Sequence, residues 1–163
     1  MKTIFTLAVT LVLMSGTSCG NRSDNYHKNN KHSYALQKAD SEWKKVLTPA
    51  AYEVMVKAGT EPAFHNAYFN YHQKGIYASA ATGEPLFSSE DKFESGTGWP
   101  SFSKPINTKA LIIVKDYSLI IERDEVVETK TGLHLGHVFN DGPADKGGMR
   151  YCINSAALKF IKK

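Results

Sequence analysis

Beyond Gly75 no stretch of the chain keeps a helical period. Short runs rich in β-branched and aromatic residues follow one another instead, separated by Gly, Pro, Asn and Asp. The runs fall at 76–80, 111–115, 118–123, 125–129, 133–139, 149–154 and 158–161. Parallel neighbours need a long crossover, normally a helix, and none fits between these runs, so antiparallel sheets are expected. Two short helices are expected ahead of them. The first carries Trp43, Val46 and Leu47 and is capped by Asp40 or Ser41. The second begins at Thr48-Pro49, a cap residue followed by Pro at the first helical position, and runs to about residue 57. Gly59 is expected to close it in a left-handed conformation. At 163 residues and 42% hydrophobic content the chain suits one domain with its own core. The fold class expected is mainly β (α+β), with the helices packed on one side.

The N-terminus reads differently. Lys2, the apolar stretch 4–14 and the small residues Ser15, Gly16, Thr17 and Ser18 have the form of a secretory signal, expected to span residues 1–18. Cys19 follows directly, and the segment resembles a bacterial lipoprotein signal in which that cysteine carries the lipid, although Gly16 stands where Leu is common. The expectation is an exported protein of the bacterial cell envelope, lipid-anchored on the periplasmic face, with simple secretion as the alternative. Residues 19–40 are polar and read as a tether, in which His27 and His32 receive no role. Residues 41–163 are the expected domain, and no later apolar run is long enough to span a membrane. The net charge of +4 comes from scattered residues, so no nucleic-acid partner is expected.

A lipidated Cys19 would leave Cys152 as a lone thiol, which in an exported protein calls for deep burial or a chemical use. In an extended 149–154 segment, a period of two puts Arg150, Cys152 and Asn154 on one face and Tyr151 and Ile153 on the other. The Arg150 guanidinium would favour the thiolate. His134 and His137, three apart, would face opposite ways on a regular strand, but Gly136 between them permits a bulge that brings both round. Two imidazoles beside a thiolate can donate protons. They can equally be ordinary satisfied histidines, and a zinc site with Cys152 fits none of the usual spacings. Trp99, between Gly98 and Pro100, belongs on a loop, as a core plug or as the wall of an apolar pocket. No Gly-Lys-Ser/Thr follows that loop, which makes a phosphate site a poor reading.

Four motifs occur in order: Ser95-Gly96-Thr97-Gly98-Trp99-Pro100-Ser101-Phe102, His134-Leu135-Gly136-His137-Val138-Phe139, Asp141-Gly142-Pro143 and Arg150-Tyr151-Cys152-Ile153-Asn154-Ser155. Together they resemble the methionine-R-sulfoxide reductase B family, and the likeness runs from about Ser41 through Lys159. The resemblance implies two twisted antiparallel sheets with N-terminal helices. It implies that Cys152 attacks the sulfur of a methionine-R-sulfoxide in an oxidised peptide or protein and becomes a sulfenic acid. By the same resemblance His134, His137 and Asn154 hold and protonate the sulfoxide oxygen, Asp141 and Arg150 support them, and Trp99, with Phe139, receives the substrate.

Two departures from the family pattern carry expectations of their own. Many members hold a structural zinc in two Cys-x-x-Cys pairs, whose places here are Ser79 and Thr82, then Glu128 and Thr131; no metal is expected. Many also carry a resolving cysteine where this chain has Thr97, so an external thiol, such as a thioredoxin-like protein, is expected to regenerate Cys152. A monomer is expected. The competing readings are a non-catalytic binding lipoprotein of the same fold and, more weakly, a cysteine peptidase using Cys152 and a histidine.

Overall fold

The computed structural model describes residues 33–163. The expected signal at 1–18, Cys19, His27 and His32 lie outside the described residues. The expected tether does not run free to residue 40. Leu36 N donates to Lys130 O at 2.8 Å, and the Tyr34 ring lies so close over Gly132 that a Cβ there would meet it at 2.4 Å. Polar composition concealed this docking because it rests on one aromatic side chain and one backbone bond.

Helix α1 (Asp40–Val46) and helix α2 (Pro49–Met55) lead into the sheets. The cap of α1 is not Asp40 or Ser41 but Ala39, whose N–H donates to the Glu42 carboxylate at 2.9 Å. Asp40 instead pairs with Lys57 beyond α2, joining the two helices. Helix α2 starts as expected, with Thr48 Oγ1 accepting from Ala51 N at 3.2 Å. It is two residues shorter than expected, and its left-handed closing residue is Ala58 (φ 53°), not Gly59. Gly59 has a different constraint: a Cβ there would sit 2.7 Å from Glu53 O.

Nine strands follow among the described residues: β1 (Gly75–Ser79), β2 (Pro85–Ser88), β3 (Lys92–Phe93), β4 (Ser101–Phe102), β5 (Leu111–Asp116), β6 (Arg123–Glu128), β7 (His134–Phe139), β8 (Arg150–Ile153) and β9 (Leu158–Lys162). They form two sheets, of order β2-β1-β9 and β3-β4-β8-β7-β6-β5, with antiparallel pairs throughout. This is the two-sheet, helix-flanked architecture expected. Three strands were not foreseen: β2 begins at a proline, and β3 and β4 are two residues each, too short to show a period. Of the run at 118–123 only Arg123 is in a strand, as the first residue of β6; residues 118–122 are not. They form the turn between β5 and β6, entered through Asp116, whose Oδ1 accepts from Ser118 N at 2.8 Å.

Aromatic rings join the sheets. Phe87 of β2 stacks on Phe102 of β4 with centroids 4.5 Å apart, and Tyr77 of β1 meets Phe102 edge-on at 5.0 Å. Trp43, Tyr52, Val54, Met55 and Val56 add the helical side of this core. Among the described residues no helix is long and apolar enough to cross a membrane.

Strand β7 carries the decisive irregularity. Val126 pairs with Gly136 and Val127 with His134, so Leu135 is the extra residue of a bulge. Beside it Gly136 lies against β8 so closely that a Cβ would fall 2.1 Å from Cys152 O. We expect Gly136→Ala to lower stability by about 3 kcal/mol through a forced separation of β7 from β8. The shift in the urea midpoint measures this, and a wild-type midpoint would contradict the close approach.

Candidate active site

Because paired residues in a sheet share a face, register decides what surrounds Cys152. Ser101 of β4 pairs with Cys152 on one side, His137 of β7 on the other, and Glu125 of β6 pairs with His137 in turn. One row across the sheet therefore carries a hydroxyl, a thiol, an imidazole and a carboxylate. Tyr151 and Ile153 point the opposite way, Ile153 fully into the core and Tyr151 against Phe87 at 5.8 Å, as the strand period predicts.

Cys152, His137, Asn154, Trp99 and Phe139 line one cleft of about 120 Å³, with Thr60 and Arg123 at its edge. His134 lies just beyond, in an adjoining hollow that shares His137 as its wall. The bulge at Leu135 achieves this: the two imidazoles meet edge-on with centroids 5.4 Å apart instead of facing opposite ways. Each is held by a carboxylate that sequence reading did not single out. His134 Nδ1 lies 2.5 Å from Glu125 Oε1, leaving its buried Nε2 without a protein partner. His137 Nε2 lies 2.8 Å from Asp116 Oδ2, which also accepts from Arg123 at 2.6 Å. Strand parity was the available signal: Arg123 and Glu125 alternate on the same face of β6.

Asp116 stays ionised. Burial pushes its carboxyl up, but hydrogen bonds from Ser118, His137 and Arg123 outweigh that and hold it well below the usual carboxylate range. His137 is pushed down, chiefly by burial, which outweighs the opposing pull of Asp116. Its neutral form is thus favoured over the imidazolium.

Asn154 is engaged with backbone. Its Nδ2 donates to Leu135 O at 3.1 Å and its Oδ1 accepts from Glu61 N at 3.2 Å, leaving one amide hydrogen. Glu61, also missed from sequence, accepts from Trp99 Nε1 through its carbonyl at 3.0 Å and from Ser155 N and Ala156 N (3.0 Å for the latter) through its carboxylate. One residue thereby sets both the Trp99 loop and the turn after β8. Arg150 and Asp141 form a bidentate pair at 2.8 and 2.9 Å, with the guanidinium over the Phe139 ring at 4.4 Å.

The thiol itself departs from expectation. Burial pushes Cys152 up, and the Arg150 guanidinium, with the Thr97 and Ser101 hydroxyls, recovers only part of that. In the resting site the thiol is favoured over the thiolate. Thr97 Oγ1 is 3.9 Å from Cys152 Sγ, and Ser95 bridges it to Ser101 through contacts of 2.8 and 2.7 Å. Thr97 thus stands where a resolving thiol would reach Cys152.

The places of the family's zinc ligands also converge, but on different chemistry. Thr82 and Thr131 both donate hydroxyls to the buried Glu128 carboxylate, the latter at 2.7 Å, while Ser79 Oγ accepts from Ala81 N at 3.2 Å. Both Glu128 oxygens are engaged and no thiolate or imidazole is present, so this donor set does not fit zinc. It ties the β1–β2 turn to the β6–β7 turn. Among the described residues no group of three His, Cys, Asp or Glu side chains is placed to hold a metal.

The fold agrees with what the comparisons find. Residues 47–162 match the SelR domain, and the chain belongs to the methionine-R-sulfoxide reductase B family. Over 130 residues it is 51% identical to the peptide methionine sulfoxide reductase MsrB of Leptospira interrogans, a match covering 80% of this chain and 98% of that protein.

Two outcomes follow from the site. The rate of Cys152 alkylation by iodoacetamide should rise with pH through a midpoint above the ordinary thiol range. Arg150→Met should move that midpoint higher still, because removing a nearby cation disfavours the thiolate; an unchanged or lowered midpoint would refute the guanidinium's part. At the second cluster, Glu128→Ala should lower stability by about 3 kcal/mol through loss of both hydroxyl contacts and a cavity. A chelator should leave the wild-type melting temperature where it is, and a chelator-dependent melt would contradict the metal-free reading.

Proposed function

We propose that the protein reduces methionine-R-sulfoxide residues in peptides and proteins to methionine through Cys152. The observation that carries this is the strand register. It sets a single thiol against His137 and beside Trp99, Phe139 and Asn154 in one small cleft. The chain's relationship to a peptide methionine sulfoxide reductase supports the same reading. A binding protein without turnover is not favoured, since thiol, imidazoles and apolar wall are all present together.

In this reading the S-methyl end of the substrate lies against Trp99 and Phe139, with the sulfoxide oxygen toward His137, His134 Nε2 and the free amide hydrogen of Asn154. The Cys152 sulfur attacks the sulfoxide sulfur as its own proton passes to the oxygen, directly or through an imidazole. The oxygen moves to Cys152, giving a sulfenic acid, and methionine leaves; the substrate sulfur is reduced and the cysteine sulfur oxidised. Asp116 and Glu125 are positioning residues, each holding one imidazole. Arg150, locked by Asp141, supplies the nearest positive charge for the thiolate as it develops.

Regeneration consumes two external thiol equivalents, or one thioredoxin-like dithiol. The first thiol displaces water to form a mixed disulfide, and the second releases Cys152. Thr97 cannot take either part. The domain works without zinc in this reading, supported by the hydroxyl–carboxylate cluster at Glu128. The N-terminal pattern ending at Cys19 supports a lipid-anchored site of action in the cell envelope.

Given a peptide with resolved sulfoxide epimers and dithiothreitol, the protein should consume the R epimer alone, and Cys152→Ser should abolish turnover. One equivalent of methionine should be released without reductant, leaving Cys152 one oxygen heavier by mass spectrometry. Equal use of both epimers, or activity in the Ser variant, would defeat the mechanism. Thr97→Cys should convert the product of that single turnover into a disulfide between position 97 and Cys152.

A further inference from the structure

The turn between β5 and β6 is the most apolar exposed segment among the described residues. Tyr117, Leu119, Ile120 and Ile121 are 71%, 58%, 106% and 75% exposed, in a stretch whose only polar members are Ser118 and the following Glu122. Four large apolar side chains within five residues of a surface turn, three of them consecutive, are not the scattered exposure of an ordinary surface. Nothing in the turn's own packing uses them.

The turn is also fixed relative to the cleft. Asp116 accepts from Ser118 N at the start of the turn, from Arg123 at its end and contacts His137 in the site. Lys115 braces the same hairpin through Glu122 at 2.7 Å and Asp124 at 2.9 Å. Leu119 and Ser118 line the hollow that holds His134 and His137. The patch is therefore continuous with the site. Beside the Trp99 loop stands Phe64, 54% exposed and at a φ of 62°, its N–H donating to Gly98 O at 2.9 Å. A bulky residue at positive φ is a genuine outlier, and here its half-exposed ring packs edge-on against Phe69 with centroids 5.9 Å apart.

We infer that Leu119, Ile120 and Ile121 dock the apolar residues flanking an oxidised methionine, so that the enzyme selects sulfoxides by their sequence neighbours. This rests on the reading of the cleft given above. Only the sulfoxide end of a side chain fits the cleft, so the polypeptide on either side of it must cross the adjoining surface. That surface is apolar and carries no unpaired charge on the turn itself. An apolar surface continuous with the cleft gains by covering apolar side chains of that polypeptide, so the complementarity is to apolar residues flanking the sulfoxide.

The test uses three substrates, each with methionine-R-sulfoxide: a peptide with Leu and Val on either side, one with Ser and Asn, and the N-acetylated amino acid. The wild type should show kcat/KM about tenfold higher for the apolar peptide than for the polar one, the effect of burying roughly one aliphatic side chain. Ile120→Ser/Ile121→Ser, which leaves Leu119 and the wall of the hollow intact, should cut that preference about threefold or more and leave the polar peptide and the amino acid unchanged. The turn is exposed, so the variant should keep the wild-type melting temperature. Labelled versions of both peptides carrying methionine sulfone, which has no reducible sulfoxide, measure docking by fluorescence anisotropy independently of turnover. Absence of turnover with all three sulfoxides would overturn the proposed activity, while the sulfone peptides would still judge the docking surface. Equal use and equal binding of the two peptides by the wild type would overturn the inference. So would a preference that survives the double variant undiminished, or a double variant that weakens all substrates alike. Binding of phosphatidylglycerol vesicles or self-association, lost in the variant with no change in peptide preference, would assign the patch to a lipid surface or a second copy and overturn it too.

Discussion

The site depends on how closely β7 can approach β8. Two antiparallel strands offer one pairing in which His137 faces Cys152, and a shift of one residue would turn every side chain of β7 to the other face. That pairing is held by Gly136, the residue at which any side chain would strike the carbonyl of Cys152. The adjacent bulge at Leu135 then solves a separate difficulty. Histidines three apart cannot share a face of a regular strand, and inserting one residue between two ladder partners lets His134 join His137. Glycine and bulge are thus complementary: one sets the distance to the thiol, the other collects the second imidazole.

Around that pair the polar groups are held by residues outside the recognisable motifs. Asp116 and Glu125 each hold one imidazole, and Glu61 links the Trp99 loop to the turn after β8 and to Asn154. A buried carboxylate is tolerated only when its oxygens are occupied, and each of these acids meets that demand by holding a group the site needs fixed. Glu128 meets it without serving the cleft. Two hydroxyls and one carboxylate make a directional hydrogen-bonded knot between two turns. Its four positions converge although none is a thiol, so their juxtaposition is a property of the sheet and not of the metal.

The two-sheet architecture and the face shared by Arg150, Cys152 and Asn154 were legible because both follow from a period of two in runs long enough to show it. The motif resemblance named Trp99, Phe139 and both histidines, and the structure gathers them with Cys152 around one cleft and the hollow beside it. What was not legible has local physical reasons. Strands β3 and β4 are two residues long and carry no period, and Tyr34 docks within a stretch whose composition is that of a solvated tail. Residues 118–122 read as a strand in the sequence because Leu119, Ile120 and Ile121 have the composition of a buried strand, yet they stand in solvent and the strand begins only at Arg123. Propensity reads side chains, and here the backbone is governed by Asp116 and the reversal it caps. Asp116 and Glu125 were passed over because an acid on a strand reads as a solvated residue until its partner across the sheet is known.

Sequence proximity to Arg150 suggested a standing thiolate, and burial reverses that. A protonated resting thiol suits the chemistry better than it first suggests. Oxygen transfer from a sulfoxide needs a proton at the departing oxygen as well as an electron pair at sulfur, and a thiol brings both. Intrinsic nucleophilicity rises with thiol pKa, so a sulfur activated only when its proton is taken is a stronger nucleophile than one already stabilised as an anion. The same protonation slows reaction with adventitious oxidants, to which a lone thiolate without a resolving partner is exposed. Thr97, which offers Cys152 a hydroxyl and not a thiol, is consistent with that. Among the described residues no second thiol stands near Cys152, and a buried, protonated sulfur there is less exposed to adventitious oxidation than a standing thiolate.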